Sequence, residues 1–500
     1  LSYQSLANYS PRTVQIDDRI LKKSTDSVYK FYKPIMRQCR VISREDAECF
    51  LKMKKRCGIP YTDMYPTKEE FVFSEEWLSE YQIYFDNLMK AKAGIPLENI
   101  VFQLSGKKEL RKKDKDPRIF MCSPITHQTA GLQFFYKQNM MLQITDNPVC
   151  IDFNPWSGGW DRFVRSYESW EFKFSADYTQ YDAAQSIELL HAMYRLRLNW
   201  LPFQDRLYYG NAIQSWYLQL AYGLVCAEDG NIYAKMGGMP SGVTNTITDN
   251  SLINFVIHLY AFYKIFPTKN FDDFKNEIYI RFTGDDNLAG TTLDRDIINR
   301  MYQIIDTDFG IKVKFVLYSA NIIDHTWHSC STIKFLDRYI FIPEYAKVLD
   351  SVMFGKRSSS RVEEIIKLTA LKTYSWANPE AYNILDELIK FYHTQYFHEI
   401  KAGTKLLTYD DYYKQNLSYY EIMEMFFGSA AKSMEPINES THMPKLIKKN
   451  NKNVRIRPVR VLARVQKVSR PNRAPKGPRR LPRRGASALD RSTRKHFVHR

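Results

Sequence analysis

The spacing of apolar and polar positions divides the chain into short strands and helices. Glu171-Phe172-Lys173-Phe174-Ser175-Ala176-Asp177 alternates as a half-buried strand does, and it ends on an acid. From Asp182 a helical pattern runs through Ile187, Leu190, Met193, Tyr194 and Leu198, and Asp is a favourable helix-starting residue. A Gly/Pro/Ser loop beginning at Gly237 leads into an apolar helix with Leu252, Ile253, Phe255, Val256, Leu259 and Tyr260. Residues 278–282 favour a strand and meet Gly284-Asp285-Asp286, a turn that would lift two carboxylates to the tip of a hairpin. Residues 333–339 read as an amphipathic strand, while 362–368 and 381–389 carry helical patterning.

The acids change the picture. Neighbouring carboxylates repel each other, so a fold that gathers them is usually holding a divalent cation. Asp285 and Asp286 alone are compatible with a solvated turn, and Asp177 with Asp182 could be a strand edge and a helix cap. Between them lies Ser241-Gly242, then Thr246 and Asn250. The last two are four apart and project from one helical face. Glycines let backbone approach a ligand closely, and small hydroxyls can bond a sugar or phosphate. Three independent bland explanations in this order and spacing are less probable than one site.

The order resembles the RNA-dependent RNA polymerases of positive-strand RNA viruses, in the picornavirus, calicivirus and astrovirus-like grouping. Asp177 and Asp182 match the first palm motif; Ser241, Gly242, Thr246 and Asn250 match the second. Gly284, Asp285 and Asp286 match the third, with Thr283 where many relatives carry Tyr. The resemblance implies an α+β right-hand fold with fingers, palm and thumb, the palm an antiparallel sheet backed by helices in a βαββαβ-like order. Fingers are expected at 1–170 and 190–235, palm at 171–189 and 236–330, thumb at 331–435, and a basic tail at 436–500. It further implies template-directed RNA synthesis from NTPs by two Mg²⁺ ions, with Mn²⁺ as a substitute, held by Asp177, Asp285 and Asp286. Asp182, Ser241 and Asn250, aided by Thr246, would read the ribose 2′-hydroxyl, where reverse transcriptases usually put a bulky gate in place of the first of these.

Weaker matches flank these. The run from Lys107 to Arg118 packs seven basic residues, and Arg can grip phosphate bidentately. It resembles the basic fingers motif that covers the triphosphate, giving Lys107, Arg111, Lys115 and Arg118 as candidate substrate contacts. Gly58 and Pro60 resemble a template-path Gly-x-Pro motif, and Phe335, Leu336 and Arg338 a primer-gripping hairpin. Where many relatives place a Lys that protonates pyrophosphate, this chain has Tyr318, which leaves the general acid open between Lys312, Lys314 and another group. The implied partners are RNA template, primer or product, NTPs and, in one mode of priming, a viral protein primer. The implied setting is the host-cell cytoplasm, in membrane-associated replication complexes.

With 44% hydrophobic and 14% aromatic residues, the 500-residue chain can bury a large core, and no apolar run approaches the ~20 residues that span a bilayer. Leu1 rather than Met opens it, as expected of a trimmed piece or one released from a polyprotein. Seven scattered cysteines without a Cys-x-x-Cys pair fit reduced thiols, and His328 with Cys330 reads as structural. Charge is one-sided: residues 445–500 hold 20 Lys+Arg against one acid, while residues 1–444 hold 52 against 54. That Arg/Pro-rich tail cannot bury enough surface to fold alone and is expected to be disordered, binding RNA or an anionic membrane, or serving as a capsid-like arm. A non-enzymatic RNA-binding protein, a reverse transcriptase and a Mg²⁺ nuclease are the competing readings. The nuclease leaves Ser241, Thr246 and Asn250 unexplained.

Overall fold

The computed structural model describes residues 6–10, 14–92, 95, 98–107, 118–355, 361–403 and 419–428, with backbone alone for 397–403 and 419–420. The chain divides into two units, residues 1–444 and 445–500. The second, with the tail expected to be disordered, lies outside the described residues, as do Arg111 and Lys115.

The described elements begin with helices α1 (Asp18–Met36) and α2 (Trp77–Lys90), strands β1 (Val101–Gly106) and β2 (Ile119–Cys122), and helices α3 (Ile125–Ile144) and α4 (Gly159–Arg165). Strand β3 (Phe172–Tyr178) follows, then α5 (Ile187–Trp200), α6 (Phe203–Tyr222), β4 (Leu224–Cys226), β5 (Ile232–Ala234) and α7 (Thr246–Ile265). Next come α8 (Phe271–Glu277), the hairpin β6 (Ile278–Thr283) and β7 (Asp286–Thr291), α9 (Arg295–Phe309) and β8 (Val313–Ser319). The chain continues through β9 (Thr326–Trp327), β10 (Cys330–Phe335) and β11 (Arg338–Pro343) to α10 (Tyr345–Phe354), α11 (Arg361–Tyr374), α12 (Pro379–Gly403) and α13 (Tyr419–Phe427).

The central sheet runs β6-β7-β3-β8, and each neighbouring pair is antiparallel. Its strands and the helices between them follow the βαββαβ order expected from the sequence. Strand β6 buries alternate residues, Ile278, Ile280 and Phe282, as a strand with one covered face must. Helix α7 is buried without a break from Thr248 to Tyr263, the mark of a helix enclosed on all sides. Helix α9 is amphipathic instead, turning Ile298, Met301, Tyr302, Ile305 and Phe309 inward.

Polar burial fixes α7. Arg197 of α5, fully buried, donates from Nε (2.9 Å) and Nη2 (2.7 Å) to Oδ1 of Asp249, whose Oδ2 accepts the Tyr217 hydroxyl of α6 at 2.8 Å. A buried charge survives only when paired and fully hydrogen-bonded, and this triad joins three helices at the residue before Asn250.

A second sheet runs β2-β1-β4-β5, with β1 and β4 parallel, so residues 224–234 join a layer built from residues 101–122. The expected break between 189 and 190 falls inside the continuous helix α5. The chain turns instead at Leu201, where the backbone becomes extended ahead of Pro202. Asp182 does not open that helix either. It starts a short 3₁₀ turn, Asp182–Ala184, and Ser186 caps α5 by accepting the Leu189 N–H. Beyond the central sheet, β9–β11 pack on α4 and α13 through Trp160, Phe163, Trp327, Phe341, Trp376 and Phe426. Helices α10–α12 close on Val348, Val362, Ile365, Leu368, Leu385 and Ile389. All seven cysteines are free, as expected.

Candidate active site

The acids meet at one end of the central sheet. Asp177 is the penultimate residue of β3, and the β6–β7 hairpin closes Thr283 against Asp286, leaving Gly284-Asp285 as a two-residue turn. Gly284 has φ +63°, a conformation that favours glycine at such a turn. The β3–β7 ladder stops at Phe174, and the side chain of Asn287 takes over. Its Oδ1 accepts the Ala176 N–H (3.1 Å) and the Tyr302 hydroxyl (2.8 Å), and its Nδ2 donates to Ala176 O (3.2 Å) and Asp285 O (3.3 Å).

Helix α7 holds the turn from below. The Ser251 hydroxyl accepts the Gly284 N–H at 2.8 Å, and Asn254 Nδ2 donates to the carbonyls of Gly284 (3.0 Å) and Asp285 (3.3 Å). One residue before Ser251, Asn250 Nδ2 donates to Asp182 Oδ1 at 2.6 Å. Ser241 donates to the other oxygen, Oδ2, at 2.5 Å. Asp182, Ser241 and Asn250 are thus hydrogen-bonded together, with Asn250 on the helix that supports the acidic turn.

Thr246 takes a different part. Its hydroxyl is directed to the carbonyls of Pro240 (2.7 Å) and Val243 (3.0 Å), so it shapes the loop and does not bond Asp182. The loop is pinned elsewhere by Gly238 N–H to Gln185 O, Met239 N–H to Asp182 O and Gly242 N–H to Met121 O. A side chain at Gly242 would meet Met121 O at 2.4 Å, so only glycine permits this approach to β2. Buried Lys235 donates to the carbonyls of Gly237 (2.8 Å) and Gly238 (3.0 Å).

The electrostatics mark the acids out. Asp285 and Asp286 are open to solvent at the tip, yet protein surrounds them on most sides. That desolvation first, then the charges of Asp285 and Asp177, pushes Asp286 up to about 7, while the N–H of His328 opposes the shift. Asp285 is raised by desolvation and by Asp177, and Asp182 by desolvation and by Asp285. Asp177 itself is paired with Lys314 Nζ at 2.9 Å. A bulge in the β3–β8 ladder pairs Asp177 with Phe315 and Tyr178 with Val313, leaving Lys314 as the extra residue aimed at the acid. Tyr318 is stacked on Phe172 and donates to Leu293 O, so its hydroxyl is turned away. Among the described residues no three acids, histidines or cysteines converge closely enough to ligate one ion. Even so, the charge of Asp177 raises the proton affinity of both Asp285 and Asp286, and the hard oxygens of these acids suit a small divalent cation.

A family model described as viral RNA-dependent RNA polymerase matches residues 6–338. The chain belongs to that family. It is 24% identical over 355 residues to the genome polyprotein of Bean yellow mosaic virus, an alignment covering 68% of this chain and 11% of that protein. It is likewise 24% identical over 352 residues to non-structural polyprotein 1AB of Avian nephritis virus 1, covering 66% and 23%. The same polyprotein of Ovine astrovirus 1 matches over 277 residues at 24% identity, covering 51% and 20%. The chain thus spans about a tenth to a quarter of these relatives' length. The resemblance to positive-strand viral polymerases holds, with plant potyviruses joining the astroviruses.

The flanking residues of this viral polymerase family member scatter more. The Arg118 charge is felt by Asp182 and Asp285, and its carbonyl accepts the Lys107 N–H at 2.8 Å. Gly58 and Pro60 lie beside the N-terminal end of α3, where Ile125 N–H bonds Cys57 O. Residues 330–343 do form a hairpin, but Phe335 is buried against Trp376 and Phe427, so it is a core residue and not a surface for a primer. Leu336 is exposed at the tip with φ +55°, and Arg338 pairs with Asp161. His328 stacks on Trp327, as a structural residue would. Sequence reasoning missed Ser251, Asn254, Asn287 and Lys235. No helix among the described residues is long and apolar enough to cross a membrane.

Proposed function

We propose that the chain copies RNA templates, transferring nucleoside monophosphates from NTPs to an RNA 3′-hydroxyl. What supports this most is the hydrogen-bonded network of Asp182, Ser241 and Asn250, which is anchored through Asn250 on the same helix that holds the Asp285 turn. Asp177 and Asp285 would hold two Mg²⁺ ions, or Mn²⁺ in their place, with Asp286 tuning the site. When bound, these ions lower the pKa of the attacking hydroxyl and carry charge on the triphosphate. Arg118, with Lys107, Arg111 and Lys115, would neutralise the remaining phosphate charge. Asp182 would accept from the ribose 2′-hydroxyl while Ser241 and Asn250 hold it. A polar site of this kind rejects a sugar that lacks its partner, because its groups would be left unpaired.

In the right-hand arrangement, fingers would comprise 1–170 and 201–235, moved from 190 to the end of α5. The palm would comprise 171–200 and 236–330, and the thumb 331–435. Leu336 and Arg338 would face primer, and Gly58 and Pro60 the template path. The tail at 436–500 would hold RNA or an anionic membrane, within membrane-associated replication complexes of the host cytoplasm. The test is template-directed NTP incorporation by the full chain, with and without Mg²⁺, beside Asp285→Ala. Incorporation that needs Mg²⁺ and vanishes in the variant is expected, whereas an unaffected variant or efficient dNTP use would refute the reading.

A further inference from the structure

The Asp182 network extends to a residue far away in sequence. Tyr9 is 5% exposed, and its carbonyl accepts the Met236 N–H at 3.3 Å, just before the Gly237-Gly238 pair. Its ring lies directly against Gly238: a Cβ added there would sit 2.3 Å from ring Cδ1 and 2.9 Å from Cε1. The hydroxyl end of the ring is within hydrogen-bonding reach of the Ser241 side chain and feels the charges of Asp182 and Arg118. Ser241 has one proton, and it goes to Asp182 Oδ2. A hydrogen bond between the two hydroxyls would therefore have to be donated by Tyr9. Burial, and then Asp182, raise the phenol above its ordinary range, so that proton is always present. That bond would complete a one-way chain from the Tyr9 hydroxyl to Ser241, joining the observed bonds from Ser241 and Asn250 to the two oxygens of Asp182.

A serine hydroxyl with one partner rotates, whereas one that both donates and accepts is fixed. We propose that Tyr9 is a sugar-positioning residue, locking the Ser241 rotor so that Asp182 presents a fixed acceptor to the ribose 2′-hydroxyl. The inference rests on the polymerase reading and deepens it. Loop 236–242 thereby depends on the segment 6–10, which supplies a residue to substrate choice.

The test compares kcat/KM for an NTP and the matching dNTP on one primed RNA template, using the full chain. Tyr9→Phe keeps every ring carbon against Gly238 and deletes only the hydroxyl. The NTP/dNTP ratio is expected to fall about three- to tenfold, the worth of one hydrogen bond, chiefly through the NTP. Both substrates are read in one preparation, so any loss of folded protein cancels from the ratio. Ser241→Ala should lower the ratio too, and adding Tyr9→Phe to it should change nothing further. Tyr9→Met, which removes ring and hydroxyl together, should match Tyr9→Phe. A Tyr9→Phe ratio equal to wild type overturns the proposal, as does a ratio that moves only in Tyr9→Met or multiplies with Ser241→Ala. Failure of the wild-type chain to incorporate any NTP defeats the polymerase reading itself and is told apart by that result.

Discussion

Two hairpins of this chain end in two-residue turns and treat carboxylates in opposite ways. At the β10–β11 hairpin, Asp161 of α4 accepts the Tyr339 N–H (2.8 Å) and pairs with Arg165 (3.0 Å) and Arg338 (3.2 Å). Burial alone would raise this acid, but its donors outweigh burial and hold it below the ordinary value. At the β6–β7 hairpin, Asp285 and Asp286 face Asp177 and are raised instead. Ser251 and Asn254 there serve the backbone of the turn, and the Lys314 pair with Asp177 and the His328 N–H at Asp286 do not outweigh desolvation and the neighbouring acids. A satisfied acid glues two elements together. An acid whose position is secured while its charge is not has been left for a ligand.

The same isosteric change should therefore have opposite consequences at the two hairpins. Asp285→Asn is expected to cut nucleotide incorporation by about a thousandfold while leaving the melting temperature unchanged or higher. Asp161→Asn is expected to cost about 1–3 kcal/mol of stability in denaturant titration, with a much smaller effect on incorporation by the folded fraction. Similar catalytic losses in both variants would erase the distinction. Between these extremes, Asn254→Ala unties the turn without touching a carboxylate. A tenfold to hundredfold fall in kcat, with the NTP KM little changed, is expected of a misplaced acid.

The smallest effect concerns pH. Asp286 is raised to about 7, so the metal-free fold binds a proton there that the unfolded chain releases near pH 4. Its contribution to stability is present at low pH and is lost as pH rises toward and through 7. In EDTA, Asp286→Asn should melt about 1–3 °C above wild type at pH 8, with the gap shrinking as pH falls and closing below about pH 4. Adding Mg²⁺ at pH 8 should narrow that gap. A gap independent of pH would show that the acids do not share their charge.

Much of this was legible in the sequence, and the reasons it stops are physical. Alternation placed β3, the Gly/Asp turn placed the hairpin tip, and fixed spacing picked out Asp182, Ser241 and Asn250. Asp182 looked like a helix start because Asp and Ser cap helices equally well, and only the fold shows that Ser186 does it. Ser251, Asn254 and Asn287 carry no local signal. A polar residue in a buried segment announces that it needs a partner but not which one. Thr246 matched a pattern yet bonds its own loop, since spacing fixes a helical face and not a rotamer. Phe335 sits in a strand whose alternation is clear, but its inward side became evident only with Trp376 and Phe427 in place. Tyr9 could not be read at all, because no periodicity links it to Ser241.

Helix α7 touches Asp182 through Asn250 and the acidic turn through Ser251 and Asn254, within little more than one helical turn. On the proposed reading, sugar choice and reaction speed hang from one rigid rod. Variants that relax which nucleotide is accepted by shifting this helix will also slow the enzyme. On that reading, selectivity for the sugar cannot be altered through this helix without altering the pace of copying as well.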